Sequence, residues 1–142
     1  MDIMELEIKL DDGAFPPTRA HKTDAGLDIR AKEDKFILDQ RSATLHTGVH
    51  IKLPPNTAGV LISKSGLNIK FGITSTGLID EGYDGEILVK LYNHGFIPYH
   101  VIKGEKISQL VIVPVLYCTP KIVEDLNQHS ERGDKGFGST GR

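Results

Sequence analysis

The sequence predicts an all-β domain, a jelly-roll-like β-sandwich or barrel with one short helix and a mobile C-terminal arm. Three observations carry that prediction. Wherever hydrophobic residues recur regularly, their period is two. Turn-forming clusters, PPN, DEGYDG, NHG and KGEK, separate the periodic runs, and only one stretch, SKSGLNIKFG at residues 63–72, departs from alternation. Many short strands without intervening helices argue against a βαβ fold and for sheets closed around one core.

In ELEIKL, residues 5–10, Leu6, Ile8 and Leu10 share one face and the charges the other, so a half-buried strand is expected. DKFIL follows at 34–38. In TLHTGVHIKL, residues 44–53, the residues Leu45, Thr47, Val49, Ile51 and Leu53 all point one way, with His46 and His50 on the polar face. AGVLIS, GEILVKLYN, FIPYHVI and KISQLVIVPVLYC supply the remaining strands. The 63–72 stretch is expected to form one or two helical turns, capped by Ser63 or Ser65.

At 142 residues the chain fits one domain with a single core. The core is expected over residues 1–127 and the arm over 128–142, where four glycines and many polar residues surround one aromatic, Phe137. Hydrophobic residues make up 39% and charged ones 25%, and the net charge is −2, which supplies no basic field for a nucleic-acid backbone. No run approaches the ~18 apolar residues of a membrane span, and residues 1–10 lack the pattern of a signal peptide. No nucleic acid, no membrane and a cytoplasmic location are therefore expected. The lone Cys118, inside an apolar run, reads as a small buried hydrophobe.

Several segments carry chemistry-bearing residues. GDKGFGST, residues 133–140, approaches the P-loop pattern, but Ser139 stands where the lysine belongs and no strand or helix flanks it. What remains is small residues that let backbone N–H groups approach a phosphate, with Arg132 offering a planar fork of donors. SKSG at 63–66 is a second basic, hydroxyl-bearing cluster at a helix start. In GLIDEGYDGE, residues 77–86, Asp80 follows a strand end, and Glu81, Asp84 and Glu86 read as a solvated acidic turn. His46 and His50 have a zinc-like spacing, but in a strand pattern with no glutamate or cysteine beside them they read as surface histidines. No G-x-S-x-G elbow supports a Ser-His-Asp triad.

Taken in order, AGLDIRA (25–31), SKSGLNIKFGI (63–73), GLIDEGYDGE (77–86), GEKISQLV (104–111) and RGDKGFGSTG (132–141) resemble the five motifs of the homotrimeric dUTP pyrophosphatases, the dUTPase family. That resemblance implies hydrolysis of dUTP to dUMP and pyrophosphate with Mg²⁺, by water attack on the α-phosphorus, limiting uracil incorporation into DNA and supplying dUMP for dTMP synthesis. Asp80 would be the general base, and Asp28 would meet the hydrated Mg²⁺. Lys64, Ser65, Gly66 and Gln109 would hold phosphates. Tyr83 would lie under the deoxyribose, and the backbone of Gly77, Leu78 and Ile79 would read the uracil edge. Phe137 would stack on uracil while Arg132, Gly138, Ser139 and Thr140 close over the γ-phosphate.

The sequence departs from the family pattern in places. Ser63 and Lys64 replace the usual proline and arginine of the second motif, exchanging a bidentate fork for a point charge. Thr74 stands where many members have a uracil-contacting asparagine, and Lys106 and Ser108 replace arginine and alanine in the fourth motif. The rival readings are a dCTP deaminase, against which the GLIDEGY segment argues, and a nucleotide-sensing protein that uses an exposed surface for a regulatory protein partner.

Overall fold

The computed structural model describes residues 4–127 and 129–141. In chain order the elements are β1 (Glu7–Leu10), β2 (Leu27–Arg30), β3 (Lys35–Ile37), β4 (Ser42–His46), β5 (Val49–Lys52), β6 (Thr57–Ile62), α1 (Ser65–Phe71), β7 (Ile73–Ile79), β8 (Leu88–Asn93), β9 (Tyr99–Val101) and β10 (Lys106–Pro114). A six-stranded sheet in the order β2-β10-β6-β7-β8-β4 is flanked by the two-stranded ladders β1-β5 and β3-β9. All pairings are antiparallel. The three sheets close on one core: Ile37 and Val101 come from the β3-β9 ladder, Val49 and Ile51 from β5, and Ile29, Leu61, Ile73, Leu91 and Leu110 from the large sheet. This is the all-β architecture with one short helix that the alternation predicts.

The longest alternating run behaves in an instructive way. Leu45, Thr47, Val49, Ile51 and Leu53 are all buried, as expected. Yet the run is two strands in two sheets, β4 beside β8 and β5 beside β1. Between them Gly48 takes a left-handed backbone (φ 67), and the Thr47 hydroxyl donates to the Ile87 carbonyl at 2.6 Å. The corner preserves the inward face while changing the partner strand.

Three expectations are corrected. β1 is an outer strand that pairs only with β5, so Ile8 and Leu10 stay exposed and only Leu6 reaches the core. The last apolar run stops being a strand at Pro114: Val115 still donates to the Asn56 carbonyl, but Leu116 and Tyr117 project outward and Cys118 is exposed rather than buried. The physical reason is that the sheet partner ends with β6 at Thr57, opposite Pro114, leaving the later residues no strand to pair with among the described residues. Finally, α1 has no side-chain cap. Its N-cap is Lys64, while Ser63 is engaged across the hairpin with Ser75; Gly72 closes the helix in the left-handed conformation.

Candidate functional site

Strand register brings three of the motif segments side by side. On β10, Gln109 lies opposite Asp28 of β2 on one side and Ile62 of β6 on the other. The Gln109 amide donates to the Ser63 carbonyl at 2.9 Å. Gly26 admits that side chain, since a Cβ there would stand 2.7 Å from Gln109 Oε1. Asp28 is only 4% exposed. Its Oδ1 accepts from Lys64 Nζ at 2.5 Å and its Oδ2 faces Lys106 Nζ at 3.2 Å. Burial pushes the Asp28 carboxyl up, but the hydrogen bonds and charges of Lys64 and Lys106 outweigh it and hold the group below its usual range. Ser65 and Gly66, the first residues of α1 and next after Lys64 in the chain, are exposed, and nothing stands within 4 Å of a Cβ built on Gly66. Two cations around one carboxylate leave a local surplus of positive charge suited to an anion.

A second group lies at the far end of β7. Gly77, Leu78, Ile79, Asp80 and Tyr83 line a cleft of about 260 Å³. The ladder between β7 and β8 covers only Ile73 to Ser75, so beyond Ser75 the edge of β7 turned away from β6 has no strand on it among the described residues. Its main-chain groups are available to a ligand. The Asp80 carbonyl accepts from the Tyr83 amide at 3.0 Å, whereas the Asp80 carboxylate has no ion-pair or hydrogen-bond partner among the described residues. Tyr83 donates its hydroxyl to the Glu86 carbonyl at 2.7 Å, which lays the ring across Gly85.

Within one chain these two groups do not meet. Ser63 Oγ accepts from Ser75 N and donates to Ser75 O, tying the lysine cluster to the start of β7, while Asp80 follows the strand's other end. At ~3.3 Å per residue, the strand from Ser75 to Asp80 spans about 16 Å. The arm makes a third group. Arg132 donates to the carbonyls of Lys135 and Gly136, and Arg132, Lys135, Ser139 and Thr140 surround a cavity of their own. Gly138 has a left-handed backbone and Phe137 is fully exposed. Among the described residues no hydrogen bond or ion pair joins the arm to the β-body.

Other positions differ from expectation. The acidic turn is not merely solvated: Glu86 bonds His46 at 2.8 Å and the Gly48 amide at 2.9 Å, and Glu81 accepts from the Asn56 amide at 2.7 Å and from the Tyr117 hydroxyl at 2.9 Å. Thr74 bonds His94 at the beginning of β7, far from Asp80. Sequence pattern points to neither Lys106 nor His50 as a site residue. Lys106 meets Asp28 only through strand pairing, and His50 meets the 80–86 turn 34 residues along the chain.

A family model described as dUTPase matches residues 14–141. The chain is 46% identical over 143 residues to the deoxyuridine 5'-triphosphate nucleotidohydrolase of Clostridium acetobutylicum, with 98% of each chain covered. Among solved structures it is similar to the Staphylococcus bacteriophage 80alpha dUTPase with dUPNHPP, at 35% identity, a TM-score of 0.92 and coverage of 97% of this chain and 99% of that one. It is also similar, at 30% identity and a TM-score of 0.82 over 87% of this chain and 99% of the other, to a dUTPase from phage phi11 of S. aureus described as coordinating a structural Mg(II) ion. Five motifs in register, a closed all-β body that superposes on the phage enzymes and a full-length relative at this identity lead to one conclusion: the chain belongs to the dUTPase family.

Proposed function

We propose that this chain hydrolyses dUTP to dUMP and pyrophosphate, through attack of water on the α-phosphorus. The observation that carries the reading is the Asp80 carboxylate, unpaired among the described residues, at the mouth of a cleft walled by an open β7 edge. That carboxylate can accept the proton of an attacking water without first breaking a bond of its own. The free main-chain groups near Gly77 to Ile79 suit the donor and acceptor pattern of a uracil edge, and Tyr83 closes the sugar end of the cleft. Lys64, Lys106, Ser65, Gly66 and Gln109 form the anion-holding group, which binds the phosphates and stabilises charge as it moves onto the leaving pyrophosphate.

Mg²⁺ belongs to this reading as a companion of the substrate. Among the described residues no group of three or more ligating side chains gathers. Asp28 is a single carboxylate, and one carboxylate with substrate phosphates and water is the usual protein environment of this ion. Both Asp28 oxygens face ammonium groups, so the residues present fit a metal that would be held by phosphate oxygens and water, with Asp28 meeting it through that water. When bound, it neutralises phosphate charge and orients the leaving group.

The same reading includes a homotrimer. The lysine group is tied to Ser75 and Asp80 lies five residues further along β7, about 16 Å of strand, and Leu116, Ile122 and Leu126 stand exposed beyond the last strand. Both features are resolved if neighbouring copies complete each site and cover the apolar segment; the number three comes from the family. Cytoplasmic residence is part of the proposal, and among the described residues no helix is long and apolar enough to cross a membrane.

The test is pyrophosphate release from dUTP, dCTP, dTTP and UTP, with chromatography of the products and light scattering of the protein. Release from dUTP alone, with dUMP formed by a trimer, is expected. Conversion of dCTP to dUTP would replace this reading by a deaminase, and a fully active monomer would remove the shared site.

A further inference from the structure

The turn at residues 80–86 bears both Asp80 and Tyr83, and one face of it leans on residues 46–50. Ile87 N donates to Val49 O at 2.8 Å, and Gly48 N and His46 bond the Glu86 carboxylate. The contact nearest the middle of the turn comes from His50 on β5. Its Nδ1 lies 2.8 Å from the Asp84 carbonyl oxygen, and its Nε2 lies 3.0 Å from each oxygen of the Asp11 carboxylate. A carbonyl and a carboxylate only accept hydrogen bonds. A neutral imidazole has one N–H and can satisfy only one of them; the imidazolium satisfies both.

We propose that His50, as an imidazolium braced by Asp11, is a positioning residue for the reaction, holding the Asp84 peptide and thereby the turn that presents Asp80 and Tyr83. This inference rests on the dUTPase reading of that turn. The surrounding charges favour the protonated ring. Asp11 faces it directly, and Asp84 supplies the carbonyl. Lys9, paired with His50 across the β1-β5 ladder, opposes it, while Lys32 favours the charged Asp11 and Asp11 in turn repels the Glu86 carboxylate. The Asp84 carbonyl and then the Asp11 carboxylate raise the His50 pKa above its ordinary 6.5, and His50 in turn lowers that of Asp11. Because the folded pKa is raised, the brace is complete at low pH and is lost as pH rises through that higher value. One of the two bonds must then go, and the turn loses its central tether on the His50 side.

The experiment follows the His50 ring by NMR across pH in the wild type and in Asp11→Asn, and measures kcat/KM for dUTP and UTP over the same range, with His50→Gln alongside. In the wild type the ring should titrate above 6.5, and kcat/KM should fall on the alkaline side at the pKa the ring shows. Asp11→Asn should move ring titration and alkaline break together to lower pH. His50→Gln should lose roughly ten- to a hundredfold in kcat/KM, abolish that break and narrow the preference for dUTP over UTP. The inference is overturned if the ring titrates at or below its ordinary value, if the break ignores the shift in Asp11→Asn, or if His50→Gln keeps rate, break and preference. Should His50→Gln fail to fold, Asp11→Asn alone decides, because it retains the ring. Asp80→Asn separates the two readings. An active Asp80→Asn with the His50 effects intact removes Asp80 as base and leaves the brace; an inactive one beside a neutral His50→Gln removes only the brace.

Discussion

The phenol of Tyr83 lies so close over Gly85 that a Cβ built on the glycine would stand 2.5 Å from the phenol oxygen. The colliding atoms are the far end of a side chain, so in Gly85→Ala the ring should move, giving up its bond to the Glu86 carbonyl at a cost of about 0.5–1.5 kcal/mol while the fold is kept. With the sugar wall displaced, activity toward UTP should rise relative to dUTP, as it should for Tyr83→Ala. Competition between the two substrates for one enzyme pool reads this directly, and unchanged discrimination in both variants would remove Tyr83 from that role.

Asp80→Asn keeps the shape of the side chain and removes the group that can take water's proton. Turnover should fall by roughly 10²–10⁴ with nucleotide affinity nearly intact. Calorimetric binding of a non-hydrolysable dUTP analogue, set against single-turnover rates, separates the two effects.

Asp28→Asn should act on stability and chemistry together. The carboxylate is nearly buried between Lys64 and Lys106, whose own side chains are 27% and 39% exposed. Leaving two partly solvated ammonium groups without their counter-ion should cost about 1–3 kcal/mol. Because the Asp28 pKa is held below its ordinary 3.8, this stabilisation is present above that value and disappears as pH falls through the lower, folded one. Urea midpoints of the two proteins should therefore differ at pH 7 and converge in strong acid. The Mg²⁺ concentration needed for half-maximal rate should also rise in the variant.

Deleting residues 131–142 should leave a folded trimer with weak nucleotide binding and activity lower by orders of magnitude. Fixing a backbone residue costs ~1–2 kcal/mol, so ordering the arm costs on the order of 10–20 kcal/mol. Phe137 stacking offsets only ~1–3 kcal/mol; phosphate contacts through Arg132, Ser139 and Thr140, and packing on a neighbour, must offset the rest. Hydrogen exchange should find the arm protected with a triphosphate analogue and Mg²⁺, and unprotected with dUMP. Protection in the free enzyme would contradict this.

Alternation revealed the core positions of the longest run, from Leu45 to Leu53, because burial on one face writes itself as period two. It was silent about the corner at Gly48, since a corner that keeps the inward face leaves the pattern untouched. β2 escaped as a strand for the opposite reason: Asp28 and Ile29 are both buried, so it has no polar face to alternate. The proposed site residues are legible only as motifs in order. Lys106 and His50 acquire their partners through strand register and a turn contact, between residues distant in sequence. Cys118 misled because an apolar neighbourhood in sequence was read as a buried one in space.

The open edge of β7 has an evolutionary side. Recognition by main chain cannot be erased one codon at a time, because every residue but proline brings the same amide and every residue the same carbonyl. Under the proposed reading, drift at Leu78 therefore changes a side chain and spares the groups that meet the base. The vulnerable loci move elsewhere, to whatever keeps β8 from zipping up past Ser75, and a lineage could lose its base preference through a change in strand pairing several residues from the base itself.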